Sequence, residues 1–278
     1  MGVVDGFEAA NEGLLNVAKS GAMAAMTVPT VAGTEVKAKI LTGEDVLPLV
    51  EILEILGESH TFIRADAVVV RKAHEAGLPL VELLLFTDGT VSDLGWNCGA
   101  CGFNSCEEFN RYSKKSQGQG AMSRGPNCNW KVIDFGIASS AAAAAISAEN
   151  VECRVKATYA IAARALGHLE GCSLAIGITV GPVKDSAWFN RVDLKDAFTL
   201  EQHEQFVKNT LPQLYVGFCG PGYPLLKHRP DWAVEPKFWK ESEDKELMAR
   251  REGEMARIGK IVEREMKRKA KADKKTKR

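Results

Sequence analysis

The chain has 278 residues, 45% of them apolar and 26% charged, which is an ordinary globular composition with enough length for one large core or two modest ones. Basic and acidic residues number 36 each, so the formal net charge is zero and a chain-wide basic field for nucleic acid is excluded. The charge is uneven, because residues 260–278 hold ten basic residues against three acidic ones, and we expect a mildly acidic body with a basic tail and no nucleic-acid partner.

Hydrophobic periodicity predicts both helices and short buried strands. The predicted helices cover residues 6–26, 43–57, 132–148, 154–166 and 237–278. The predicted strands cover residues 67–70, 80–86 and 173–180. Because such strands alternate with helices, the sequence predicts an α/β fold: one main domain with a few buried strands flanked by helices, an inserted cysteine-rich loop and a charged C-terminal helix.

Shifts in composition divide the chain into four predicted parts. These are an N-terminal α/β part (1–94), the cysteine-rich loop (95–131), a C-terminal α/β part of the same domain (132–230) and a charged helical extension (231–278). In the extension, Met248, Met255 and Val262 recur at sevenfold spacing. The extension is either a helix that lies across its own domain, which we favour, or a contact for a partner, and its basic end is expected to be solvated.

The predicted location of the protein is the cytoplasm. No stretch reaches the roughly 18 consecutive apolar residues of a transmembrane helix, so we expect no membrane span. The first residues lack the basic start and apolar run of a signal peptide, and Gly6 stands where a myristoylation motif requires serine or threonine. In the cytoplasm, the seven cysteines are expected to be thiols or metal ligands rather than disulfides.

The most informative motif is a group of four cysteines with the spacing C-x2-C-x4-C and a fourth member further on. Its members are Cys98, Cys101, Cys106 and Cys128. Several thiolates on a short loop, with a distant one that closes the cage, are typical ligands of an iron–sulfur cluster. Gly99 and Gly102 would let the backbone turn tightly and point N–H groups at sulfur, which stabilises the reduced cluster and raises its potential. Phe103, Phe109 and Trp130 are expected to shield the site from water.

The spacing of these cysteines favours a [4Fe–4S] cluster over three other uses. A structural zinc site usually has two C-x2-C pairs, whereas only Cys98 and Cys101 form one here. A plant-type two-iron cluster has the reverse order, C-x4-C-x2-C. A thioredoxin-like redox pair would leave Cys106 and Cys128 unexplained.

The remaining polar residues predict no catalytic centre. Cys153, Cys172 and Cys219 are expected to be small buried residues, with Cys219 as the substitute ligand should Cys128 not serve. The five histidines show no paired metal-binding spacing, and there is no nucleophile elbow, Walker loop or dinucleotide-binding glycine motif.

The segment Cys98–Cys106 resembles the single-cluster domain of the B subunit of the Rnf electron-transport complex and of the large subunit of the corrinoid iron–sulfur protein. Over roughly residues 8–195 the chain resembles an uncharacterised family of ferredoxin-domain proteins from anaerobic bacteria and archaea, through segments such as 125–128, 134–138 and 188–191. The resemblance implies a [4Fe–4S] cluster, which would be held by Cys98, Cys101, Cys106 and Cys128. It implies a cofactor and no particular reaction.

The leading functional hypothesis is one-electron transfer through this cluster to a redox partner protein or complex. A second hypothesis is a redox enzyme that pairs the cluster with a further cofactor such as a flavin, because about 100 residues lie on each side of the loop. Arg64, Asp66, Asp185 and Arg191 stand near predicted strand ends, where α/β sites tend to form. A third hypothesis is a scaffold subunit that the cluster stabilises. Whether the protein is an enzyme stays open at this point.

Overall fold

The computed structural model describes residues 2–58, 61–120, 122–181 and 245–276. The helices are α1 (Gly6–Thr27), α2 (Leu47–Gly57), α3 (Thr61–Glu75), α4 (Cys106–Lys115), α5 (Asn129–Ala148), α6 (Thr158–Ala165) and α7 (Lys245–Thr276). The strands are β1 (Lys37–Thr42), β2 (Val81–Thr87), β3 (Gly118–Gln119), β4 (Arg124–Gly125), β5 (Cys153–Lys156) and β6 (Leu174–Val180). A short 3-10 turn, Gly43–Asp45, precedes α2.

The core is a four-stranded antiparallel sheet in the order β1-β2-β6-β5 with helices on both faces. Every residue of the central strand β2 is buried, and successive side chains enter opposite cores. Leu83 and Leu85 pack with residues of α1 and α5, whereas Leu84 and Phe86 pack with residues of α2, α3 and α6. The predicted α/β class is therefore confirmed, as three layers around one central sheet.

The predicted strand at residues 67–70 is wrong, because these residues lie within α3. Ile63, Ala67 and Val70 are buried at spacings of four and three residues, which is the period of one helix face rather than of a strand. That face packs against α2, and Arg71 anchors it there through an ion pair of 2.8 Å with Glu54. Packing thus overrides the strand propensity of the three consecutive valines.

Two further differences concern strands that the sequence did not predict. Strand β1 lies in a segment for which the sequence predicted no element, at the edge of the sheet beside β2. The predicted helix 154–166 is in fact strand β5 followed by the shorter helix α6. The remaining predicted elements before residue 181 are confirmed, with α2 starting only at Leu47 and α5 starting already at Asn129.

The C-terminal helix α7 lies across its own domain, against α2, as in the favoured interpretation. Ile258 and Ile261 are buried in the core beneath α2, while Met255 of the predicted sevenfold stripe is exposed. Arg257 binds Glu58 through two bonds of 2.7 Å. The partner contact of this helix stays a prediction, and residues 182–244, which include the predicted connector, lie outside the described part of the chain.

Helix α5 is long and apolar enough, by length and composition alone, to cross a membrane. Here it is packed against α1, where Gly21 has no side chain because a Cβ there would come within 2.8 Å of Ile146. Asp134 of α5 is fully buried and accepts hydrogen bonds from the backbone N–H groups of Val31 and Ala32. The absence of a membrane span stays a prediction.

Candidate functional site

The four predicted cysteines line one cavity, which lies beyond the C-terminal end of β2, beside the first turns of α4 and α5. The cavity has a volume of about 310 Å³ with its open mouth included. Cys98 is exposed, Cys101 and Cys106 are half-buried and Cys128 is buried. The site therefore extends from the surface of the protein to its interior.

Cys106 is the first residue of α4, and the local sequence fixes the start of this helix. The Ser105 hydroxyl caps the helix by accepting a bond of 3.1 Å from the N–H of Glu108. The N–H of Cys106 donates to Oδ1 of Asn97, on the opposite side of the loop, at 2.9 Å. The positive end of the helix dipole consequently lies at the cavity, where it favours a thiolate.

The sulfur of Cys106 is surrounded by hydrogen-bond donors. The Ser92 hydroxyl and the backbone N–H of Asn97 lower the pKa of the Cys106 thiol, and the N–H groups of Trp96 and Gly95 add to this against the opposing effect of desolvation. Thiolate is the form that binds metal, so this loop favours the form of Cys106 that acts as a ligand.

Cys128 comes to the cavity from the other side, at the start of α5. Its N–H donates to the carbonyl of Gly89, just after β2, at 2.8 Å. The preceding residue, Asn127, accepts a bond of 2.6 Å from the hydroxyl of Ser173, which precedes β6. Gly89 has to be glycine, since a Cβ there would come within 2.8 Å of Oδ1 of Asn127. The ends of the two central strands therefore fix the position of Cys128.

The segment from Cys98 to Cys101 makes a tight turn, as predicted from its glycines. Gly99 and Gly102 have φ angles of 74° and 85°, in the left-handed region that favours glycine. The N–H of Gly102 donates to the carbonyl of Gly99 at 2.9 Å. The side-chain amide of Asn129 donates to the carbonyl of Ala100 and so joins this turn to α5.

Aromatic side chains form part of the cavity wall, although not the set that was predicted. Phe103 and Trp130 line the cavity as expected, and Trp96 lines it as well, with its ring centroid 5.9 Å from that of Trp130. Phe109 is a correction: it is fully buried and packs behind Phe103 at 5.7 Å instead of facing the cavity. Trp96 is about half exposed, so the shield is open towards Cys98.

Two buried hydrogen-bond donors on the lining residues were missed by the sequence reasoning. The Ser92 hydroxyl oxygen and Nε1 of Trp130 are both buried; the indole N–H has no acceptor among the described residues, and the hydroxyl lies beside the Cys106 sulfur. Buried donors without an acceptor are rare in folded proteins. They suit a cavity that is completed by a bound group with acceptor atoms, such as sulfur.

A single metal ion and a cluster require different arrangements of the four thiols. Over residues 2–58, 61–120, 122–181 and 245–276, no three His, Cys, Asp or Glu side chains converge as one metal ion requires. A zinc ion draws all its ligands to one point, whereas a four-iron cluster takes one thiolate on each iron, so that its ligands stand apart around a larger core. The four thiols line one cavity, and this chemistry of donors is that of a cluster's ligands.

The two other cysteines that the structure describes, Cys153 and Cys172, do not line this cavity. Cys172 is buried as expected, with its sulfur 3.2 Å from the carbonyl of Leu169, whereas Cys153 is only half-buried beside α5. Cys219 lies outside the described residues.

Of the residues that suggested a flavin site, the two that the structure describes do not lie at strand ends. Arg64 and Asp66 lie within α3, where Asp66 accepts a bond of 2.7 Å from the hydroxyl of Thr158. Asp185 and Arg191 fall outside the described part of the chain. A flavin cofactor therefore stays a prediction.

Comparisons with known proteins identify relatives without an assigned activity. Residues 124–191 match the family model described as "Uncharacterized protein containing a ferredoxin domain (DUF2148)". An uncharacterised protein from Archaeoglobus fulgidus is 31% identical over 188 residues, which are 66% of this chain and 95% of the relative. The solved nitroreductase CinD from Lactococcus lactis, in complex with nicotinic acid, is 17% identical over 66% of this chain and 81% of its own, with a TM-score of 0.38.

Proposed function

This chain belongs to the family of uncharacterised proteins that contain a ferredoxin domain, and we propose that it binds one [4Fe–4S] cluster and transfers single electrons. The proposed ligands are Cys98, Cys101, Cys106 and Cys128. The observation that carries the proposal is the cavity that all four thiols line, together with the buried indole N–H of Trp130, which has no acceptor among the described residues.

The residues around the cavity suit a group of net negative charge. Cys106 and Cys128 stand at the first turns of α4 and α5, so two helix N-termini bring partial positive charge to the site. Lys131, in the first turn of α5, pairs with Asp93 at 2.8 Å and adds a balanced ion pair nearby. A bound cluster would supply a one-electron couple at this place.

Exposure of the site supports transfer to another protein. Cys98 is exposed and Trp96 is about half exposed, so a redox partner can approach the rim of the cavity without any rearrangement of the core. We infer a cytoplasmic protein of an anaerobe that exchanges electrons with a partner protein or complex. The likeness of the Cys98–Cys106 loop to those of the Rnf B subunit and the corrinoid iron–sulfur protein belongs to this proposal.

The test is the content of iron and acid-labile sulfide in the full chain, purified without oxygen. We expect about four of each per chain and an electron paramagnetic resonance signal of a reduced cluster after dithionite is added. Zinc without sulfide would overturn the proposal and leave a structural clasp of four cysteines. Flavin absorption bands in the same sample would instead favour the enzyme with a second cofactor.

A further inference from the structure

We propose that the Ser92 hydroxyl and the Trp130 indole N–H donate hydrogen bonds to the sulfur atoms of the bound cluster and its thiolates, and so raise its reduction potential. This inference rests on the proposed function, because it assigns roles to two residues at the same cavity. Both residues line that cavity and both polar atoms are buried; the indole N–H has no acceptor among the residues described, and the hydroxyl lies beside the Cys106 sulfur. No pattern in the sequence marks either residue for this role.

Ser92 is held so that its hydroxyl is available to the cavity. The side chain of Asn110, on α4, binds the backbone of Ser92 in both directions, accepting from its N–H and donating to its carbonyl at 2.7 Å each. Only 4% of Ser92 is exposed. The backbone is thus satisfied by α4, the same helix that begins with Cys106, and the hydroxyl proton is left for the sulfur at this site.

Trp130 is fixed in a comparable way by packing. It lies in the first turn of α5, two residues after Cys128, and its ring meets the edge of Trp96 at an interplanar angle of 73°. An indole N–H can only donate, so its burial is unfavourable until an acceptor arrives. A sulfur acceptor in the cavity would remove that cost.

The direction of the effect follows from charge. A reduced cluster carries one more negative charge than an oxidised one, so a hydrogen bond to its sulfur atoms is stronger in the reduced state. Donors therefore stabilise the reduced form and raise the potential, and their removal lowers it.

The experiment measures iron, sulfide and the midpoint potential of Ser92→Ala and Trp130→Phe in the full chain. We expect unchanged iron and sulfide, and a reduced-to-oxidised ratio that falls about tenfold at a fixed potential, which is about 59 mV for a one-electron couple. Ser113→Ala is a matched control, because that buried hydroxyl on α4 also lacks a partner among the residues described but does not line the cavity. Trp96→Phe controls for the loss of an indole from the wall.

Wild-type potentials in loaded Ser92→Ala and Trp130→Phe would overturn the inference and leave the proposed function standing. A wild-type chain without iron would remove both together, so the two failures are distinguishable. Should Ser92→Ala not load, Ser92→Thr retains a hydroxyl and Trp130→Phe retains a ring. In that case the inference is supported if Ser92→Thr carries the cluster at the wild-type potential while Trp130→Phe has a lowered potential. A wild-type potential in Trp130→Phe overturns it.

Discussion

The central strand β2 has a polar region near each end, and the two regions satisfy their buried groups differently. Near its start, Glu82 is fully buried, with Lys156 nearby as opposite charge and a bond of 2.5 Å from the hydroxyl of Thr179. Beyond its end lies the four-cysteine cavity, where the buried indole N–H of Trp130 has no acceptor among the described residues and the Ser92 hydroxyl lies beside the Cys106 sulfur. The first region finds its counter-charge within the protein, whereas the second is suited to a bound group.

The first region shows what two buried groups of opposite charge require from their surroundings. The Glu82 carboxylate lies over Gly177 of β6, so close that any Cβ at that glycine would overlap it. The Lys156 ammonium lies 3.5 Å from the centroid of the Tyr159 ring. Burial raises the pKa of Glu82 to about 7 and lowers that of Lys156 to about 8, each against the attraction of the other. The pair is thus a structural element of the core.

The largest effect is expected at the cavity, from Cys106→Ala. Loss of one thiolate leaves one iron without its protein ligand, so we expect iron and sulfide to fall to near zero and the region 95–135 to lose protection from hydrogen exchange. Cys153→Ala is the matched control, because this thiol is half-buried but lies outside the cavity. Full iron content in Cys106→Ala would contradict the ligand assignment.

The buried pair is expected to affect stability and not the cluster. Glu82→Ala removes one charge of the buried Glu82–Lys156 pair, so the free energy of unfolding should fall by about 3–5 kcal/mol in urea titrations. The double variant Glu82→Leu with Lys156→Met should recover much of this loss, since neither charge is then buried. Iron content should remain that of the wild type wherever the protein is folded. A loss of iron together with stability would show that the two regions are one unit.

A smaller effect of the same pair appears in the pH dependence. With a folded pKa of about 7 against 4.5 in the unfolded chain, Glu82 holds more proton in the folded state, so stability falls as pH rises between these values, by at most roughly 3 kcal/mol. Burial lowers the pKa of Lys156 from 10.5 to about 8, so the unfolded chain holds more proton above pH 8 and stability rises again there. Unfolding titrations from pH 5 to 10 should show a minimum between 7 and 8. If the double variant Glu82→Leu with Lys156→Met shows the same dependence of stability on pH, other groups cause the minimum.

The cavity was more accessible to prediction from sequence than the buried pair, for a physical reason. A cluster needs thiolates on tight turns, so cysteine spacing and glycines record the site locally, within the segment Cys98–Cys106. Glu82 stands inside an apolar run that predicts only a buried strand, and its partner Lys156 lies far along the chain, in a segment predicted to be helical. No sequence pattern predicts the role of Ser92 either, since its position depends on a hydrogen bond with Asn110 of α4.

The smallest effect is expected from a third kind of polar contact, the exposed ion pairs between α7 and α2. Arg264 binds Glu51 at 2.8 Å with about half of its side chain exposed, so water competes for both charges. Arg264→Ala should lower the free energy of unfolding by about 0.2–1 kcal/mol, and the difference should shrink at 1 M salt, where the screening length is about 3 Å. Lys260→Ala, at an exposed lysine of the same helix, is the control and should leave stability unchanged. A loss as large as that of Glu82→Ala would contradict the assignment of this arginine to an exposed, solvent-screened ion pair.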